Sequence, residues 1–203
     1  YPLALLDVNK PEDKIIIENS LKRIEEKGTR AWCGYSFSWM ASLYARAYQA
    51  DSAARQLQIF ASNFCSPNSF HLNGDQKGGQ YSSFTYRPFT LEGNFAFAQG
   101  VHELLLQSRG DYIQVFPAVP DGWQNVSFEN LRTEGAFIIS EKKEKGVASK
   151  VVIKAEKGGV CKIKLPFTDF TFQGKTKKYE VKEGVVEFTM AKGEELIVLH
   201  KQK

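Results

Sequence analysis

The feature that most constrains this chain is a change of hydrophobic period about halfway along it. Up to roughly residue 108 the apolar residues recur at helical spacing, and beyond it they alternate with charged ones. Pro11, Glu12 and Asp13 open a segment in which Ile17, Leu21 and Ile24 share a face, and Lys27-Gly28 closes it with a cation and a glycine. Phe37, Met40, Tyr44 and Tyr48 mark a second stripe. Leu57, Phe60, Ala61 and Phe64 mark a third, which Asp51 or Ser52 can cap. A fourth helix is expected from about Gly93 to Ser108, with Phe97, Val101, Leu104 and Leu105 inward, ending at Arg109-Gly110. Short links between the first three predict antiparallel neighbours.

The second half reads as strands at 113–117, 126–133, 137–141, 150–155, 161–165, 178–181, 185–189 and 196–200, separated by turns such as Glu144-Lys145-Gly146 and Glu183-Gly184. Runs such as VVIKAE and CKIKL give one buried and one wet face. Helices first and strands second, with no βαβ alternation, predict an α+β chain in two units. The expected division is helices over 1–110 and a small antiparallel β-sandwich over 111–203.

Composition narrows the functional classes. Apolar residues make up 42% of the 203, enough for a core. The net charge of +4 comes from 27 basic against 23 acidic residues, too balanced to point to nucleic acid or an anionic membrane surface. The lysines that follow residue 140 are interleaved with Val, Ile and Glu, as on the wet face of strands. No apolar run approaches a membrane span. Cys33, Cys65 and Cys161 cannot all pair and lack metal-ligand spacing, so neither a metal nor a cofactor is expected; a Cys33–Cys65 bridge stays open. The opening YPLALLDVNKPEDK carries no signal peptide and reads as the interior of a longer protein.

Residues 65–91, CSPNSFHLNGDQKGGQYSSFTYRPFTL, have neither period and are rich in Gly, Ser, Asn and aromatics. Long stretches of this kind form binding sites or lids, or are disordered excursions. Glu92 follows directly, in the first turn of the fourth helix. A carboxylate there is favoured by the helix dipole whatever its role, but it can also be held rigidly toward a cleft built from the loop. His71 on the loop is a candidate ligand contact. His102 and Glu103 are read as helix residues with structural roles, and Trp32 and Trp39 as packing residues first and sugar platforms second. Asn125-Val126-Ser127 fits a glycosylation sequon, a pattern common by chance.

Four segments carry a resemblance: CGYSFSW (33–39), PFTLEGNF (88–95), GVHELLLQS (100–108) and FPAVPDGW (116–123). In order and spacing, from about residue 29 to 140, they resemble the C-terminal part of glycoside hydrolase family 95, the inverting α-L-fucosidases and α-L-galactosidases. The resemblance implies the last helices of an (α/α)6 barrel followed by a final β domain. It also implies that the family's general acid, its paired Asn residues and a sugar-binding segment ending just before Tyr1-Pro2 lie in a missing N-terminal part of the same enzyme. By position Glu92 stands where the family has a catalytic Asp that activates water, opposite a carboxylic acid that protonates the leaving oxygen. Tyr86 stands where a His contacts the sugar, and Tyr35 where the family has Trp. Arg87, Phe89 and Asn94 would flank or brace the site, with His71 nearby, and Tyr35, Phe84 and Tyr86 suit the apolar face of a sugar ring.

The implied substrate is an α-L-fucoside or related glycan, in a periplasmic or extracellular setting. Glu for Asp adds a methylene, and an ångström of misplacement can cost a hundredfold in rate. The departures leave open a divergent specificity, a repositioned base or a lost activity. A non-catalytic glycan-binding protein, a purely structural interaction domain and another (α/α)6 barrel glycosidase remain as alternatives.

Overall fold

The computed structural model describes residues 2–109, 111–174 and 176–201. The expected helix end and division at Gly110, and Tyr1 of the Tyr-Pro pair, lie outside them. The chain divides into two compact units, one ending at Leu104 and the other beginning at Leu105. The first is helical and the second is built from strands, an α+β layout in two parts.

The helical unit contains α1 (Pro11–Lys27), α2 (Gly34–Arg46), α3 (Ala50–Asn63) and the start of α4 (Glu92–Leu105). Pro11 begins α1, where its missing N–H costs nothing, and Gly28 ends it at φ 70°. Phe37, Met40 and Tyr44 of α2 and Leu57 and Phe60 of α3 are buried, as their spacing requires, together with Phe64 just past the end of α3. Tyr48 lies beyond the end of α2 at φ 59°, and Gln49, not Asp51 or Ser52, precedes α3. Glu103 is buried and structural. Arg46 donates to it from Nε and Nη2, both at 2.8 Å, and Gln99 Nε2 adds a third bond at 2.9 Å.

The fourth helix is shorter than its apolar stripe suggests. It stops at Leu105, and β1 (Leu106–Arg109) follows at once, paired with β2 (Tyr112–Val115). Leu106 is fully buried in the β core, so strand pairing and burial there override the helical propensity of the Leu-rich run.

The β unit continues with β3 (Val126–Arg132), β4 (Phe137–Glu144), β5 (Val147–Ala155), β6 (Gly159–Lys164), β7 (Phe170–Phe172), β8 (Glu180–Lys182), β9 (Val185–Met190) and β10 (Glu195–His200). They form two five-stranded sheets, β1-β2-β6-β9-β8 and β3-β4-β5-β10-β7, whose inward residues share one core. The pairing is not wholly antiparallel: β2 runs parallel to β6. Strands of the opposite sheet lie between these two in sequence, a crossover long enough to return the chain in the same direction. In the β4–β5 and β8–β9 hairpins both central residues have positive φ, Lys145 at 48° with Gly146 at 80°, and Glu183 at 50° with Gly184 at 78°. That double left-handed turn matches the twist of the flanking strands. Cys33, Cys65 and Cys161 are all free thiols. Among the described residues no helix is long and apolar enough to cross a membrane, and no cluster of His, Cys, Asp or Glu could hold a metal.

One inward position of β4 breaks the apolar pattern. Phe137 and Ile139 enter the core, and Glu141, next on that face, is equally buried with neither carboxylate oxygen in a well-formed hydrogen bond. Burial pushes its carboxyl up to about 8, only partly offset by the Lys142 N–H and the charge of Lys150. The folded state therefore holds a proton that the unfolded chain releases near pH 4.5. The stabilisation is complete below that pH and is lost as pH rises toward 8. Denaturant titrations of the β unit from pH 5 to 8.5 are expected to show stability falling by a few kcal/mol. Glu141→Gln should flatten that dependence.

Candidate active site

The stretch between α3 and α4 is irregular but tightly organised. Its two limbs run antiparallel, with Leu72 bridged to Phe89, and within the first limb Cys65 is bridged to His71. The N–H groups of Asp75, Gly74 and Asn73 donate to the carbonyls of Phe84, Tyr86 and Pro88 at 2.7, 3.1 and 3.2 Å, and Thr90 N–H donates to the His71 carbonyl at 3.3 Å. Gly74 allows this approach, since a Cβ there would lie 2.7 Å from the Tyr86 nitrogen.

Asp75 gathers the tip of the stretch. Its buried carboxylate accepts from the N–H groups of Lys77 and Tyr81, both at 2.8 Å, and from Asn63 Nδ2 at 3.2 Å. Burial alone would raise its pKa. The bonds from the Tyr81 and Lys77 N–H groups, Asn63 and the Ser82 N–H outweigh it and hold the carboxyl below its ordinary value. The tip is also tied to the α1–α2 link, where Thr29 Oγ1 donates to the Tyr81 carbonyl and Ser82 Oγ to the Trp32 carbonyl.

The first turns of α2 and α4 meet at His71. Its ring is fully buried between Gly34, the first residue of α2, and Gly93, the second of α4. A Cβ on Gly34 would lie 2.7 Å from Cδ2 and nearer still to Nε2. One on Gly93 would lie 2.6 Å from Cε1 and Cγ and nearer still to Nδ1. Neither glycine has positive φ, so both are required by space and not by backbone conformation. The next residue of α2 is Tyr35 and the preceding residue of α4 is Glu92, so the ring brings these two positions to one end of the helical unit.

Glu92 is exposed in the first turn of α4. Tyr35 is 38% exposed, and Tyr86, at 45%, accepts at its hydroxyl from Asn73 Nδ2 at 3.0 Å. The Asn73 carbonyl in turn accepts from Gly34 N–H, linking Tyr86 to the start of α2. Phe84 meets Tyr86 edge-on at 5.6 Å, and Phe89 stacks on Phe70 at 4.8 Å, both of these half exposed. Arg87 is exposed between them.

One expected ligand contact is corrected, and the hydrogen bonds of Asn94 define what it braces. His71 has no surface to offer a ligand, because the two helix starts enclose it. The Asn94 amide is committed to the backbone: its Oδ1 accepts from His71 N–H at 2.9 Å and its Nδ2 donates to the Ser69 carbonyl at 2.8 Å. Asn94 therefore braces the turn at Ser69, whose φ is 70°. Phe70, Asn73 and Thr90 were not singled out by sequence reasoning. The pairing of glycines at two helix starts with a histidine from the loop was the available clue. Trp32 packs edge-on against buried Phe37, a core role. A separate hollow of about 370 Å³ involves Glu25, Trp32, Tyr44, Arg55 and Tyr81 and includes none of the expected site residues.

Asp75 organises the tip that carries the Phe84 and Tyr86 side. Asp75→Ala should cost roughly 3 kcal/mol, since it removes several bonds to a charged acceptor and strands the donors. Hydrogen exchange at the Lys77 and Tyr81 amides should accelerate, with the amides of α3 little affected.

Comparison with known proteins agrees with this layout. Residues 1–105 match the model described as the glycosyl hydrolase family 95 catalytic domain, and residues 107–198 the one described as glycoside hydrolase family 95, C-terminal domain. Over 148 residues the chain is 35% identical to alpha-L-fucosidase 2 of Arabidopsis thaliana, covering 70% of this chain and 16% of that protein. The chain thus spans about a sixth of that relative's length, with the junction between the two matched domains falling where α4 passes into β1. The chain belongs to glycoside hydrolase family 95.

Proposed function

We propose that this chain supplies the last helices of an (α/α)6 catalytic barrel and the C-terminal β domain of an exo-acting, inverting hydrolase of α-L-fucosides or closely related glycans. Family membership and the name of the Arabidopsis relative support the substrate class. The observation that carries the assignment of residues is the convergence of α2 and α4 on His71, which sets Glu92 and Tyr35 at one end beside the aromatic loop.

In this reading Glu92 is the base. Its carboxylate takes a proton from the water that attacks the anomeric carbon, and a carboxylic acid elsewhere in the protein protonates the departing oxygen. The glycosidic bond breaks as the water–carbon bond forms, with inversion at that carbon. Tyr35, Phe84, Tyr86 and the Phe70–Phe89 pair offer flat apolar faces to the CH side of pyranose rings, and Arg87 supplies hydrogen-bond donors at the rim. The acid lies outside these 203 residues, so the isolated chain would not turn over substrate.

A second reading, a glycan-binding protein that has kept the scaffold without the chemistry, draws on Glu92 and Tyr86 standing where the family has Asp and His. Titration calorimetry with the full-length protein separates the two, because binding without cleavage belongs only to the second.

For the full-length protein, Glu92→Gln is expected to reduce hydrolysis of an aryl α-L-fucoside by about 10²–10⁴-fold, the usual contribution of a general base, with an unchanged melting temperature. Turnover equal to that of the unmodified protein would remove Glu92 from the mechanism.

A further inference from the structure

We infer that His71 is the positioning residue for Glu92, acting in its neutral form with the proton on Nδ1; this rests on the proposed role of Glu92. His71 is attached to both flanks of that carboxylate, by its ring on one side and by its main chain on the other. On one side Nδ1 lies 2.7 Å from the Thr90 carbonyl and 2.8 Å from Thr90 Oγ1, and Thr90 N–H returns a bond to the His71 carbonyl. On the other side His71 N–H donates to Asn94 Oδ1. Thr90 and Asn94 stand two residues before and two residues after Glu92, and Gly93 presses on the ring between them. The chain entering α4 is therefore held at three points by one residue.

A carbonyl only accepts, so the short contact to Thr90 places the proton on Nδ1 and leaves Nε2 bare. Nε2 is buried beside Gly34 with no hydrogen-bond partner. A proton there would be an unpaired buried donor. Burial lowers the pKa of the ring, opposed by the Thr90 carbonyl and by the charge of Glu92. Phe60, whose ring is centred 5.1 Å away, supplies an apolar floor. A ring enclosed by two glycine Cα atoms and one phenyl has no room to tilt, so the direction of the first turn of α4 is fixed with it. His71 touches no substrate in this arrangement; it acts through Glu92.

The test uses the full-length protein with an aryl α-L-fucoside, comparing His71→Ala, His71→Asn and Glu92→Gln. An asparagine amide can place a donor where Nδ1–H stands and keep the Thr90 bond. His71→Ala is expected to lower kcat by about a hundredfold, the cost of roughly an ångström of misplacement, with KM nearly unchanged. His71→Asn should recover most of that loss. If His71→Ala does not fold, the asparagine variant decides: near-normal kcat supports the inference, and a hundredfold loss in a folded protein overturns it. Loss of kcat and melting temperature in parallel for both variants would show a merely structural role and overturn it. Inactive Glu92→Gln beside fully active His71→Ala would overturn the positioning role and leave the proposed function standing. Active Glu92→Gln would remove both.

Discussion

The helical unit is organised around one imidazole ring that takes the place of two missing side chains. Helix starts are poor at close approach, because each carries unpaired N–H groups and side chains directed back toward its own N-terminus. Glycine at the start of α2 and in the first turn of α4 removes the steric part of that problem, and His71 fills the space between. The ring also satisfies a loop carbonyl at Thr90, so one side chain both packs the junction and connects the loop to it. Phe60 and Phe97 stack beneath, joining the junction to the core shared by α2 and α3.

Much of this architecture was legible in the sequence because it depends on period. The stripes of α1 to α3 and the alternation in β3 to β6, β9 and β10 follow directly from which face is dry. The start of α4 at Glu92 was legible as well. The end of α4 was not: Leu104, Leu105 and Leu106 are compatible with a helix or with a strand entering a β core, and only the partner strand β2 decides between them. The parallel pairing of β2 with β6 and the short strand β7 are set by tertiary contacts between residues far apart in sequence, which period cannot reveal.

The site was legible in part. Motif order proposes Glu92, Tyr35, Tyr86 and Phe89 as site candidates, and all four are exposed in the helical unit. His71, a polar residue on a Gly-rich loop, suggests a ligand contact by type and position, whereas the motif gives Asn94 as flanking or bracing the site. In the folded chain His71 Nδ1 meets the Thr90 carbonyl and hydroxyl, and the Asn94 amide is taken up by the main chain at His71 and Ser69. A loop without regular structure still has to satisfy its buried N–H and carbonyl groups, and here side chains do that work. Asp75, buried and surrounded by donors, is the clearest case. Glu141 in the β unit is the contrary case, a buried carboxyl with no such surroundings, whose burial is tolerated because it takes up a proton.

The wedge of His71 between Gly34 and Gly93 carries an evolutionary consequence. Any side chain added at either glycine collides with the ring, whereas shrinking the ring leaves a void that a methyl at one glycine alone would fill on only one side. The positions are therefore epistatic: a side chain at 93 needs a change at 71, and one at 34 needs room at both 71 and Phe64, whose Cβ would lie 2.8 Å away. Drift across this family should show them varying as a block, while the exposed aromatics nearby change one at a time.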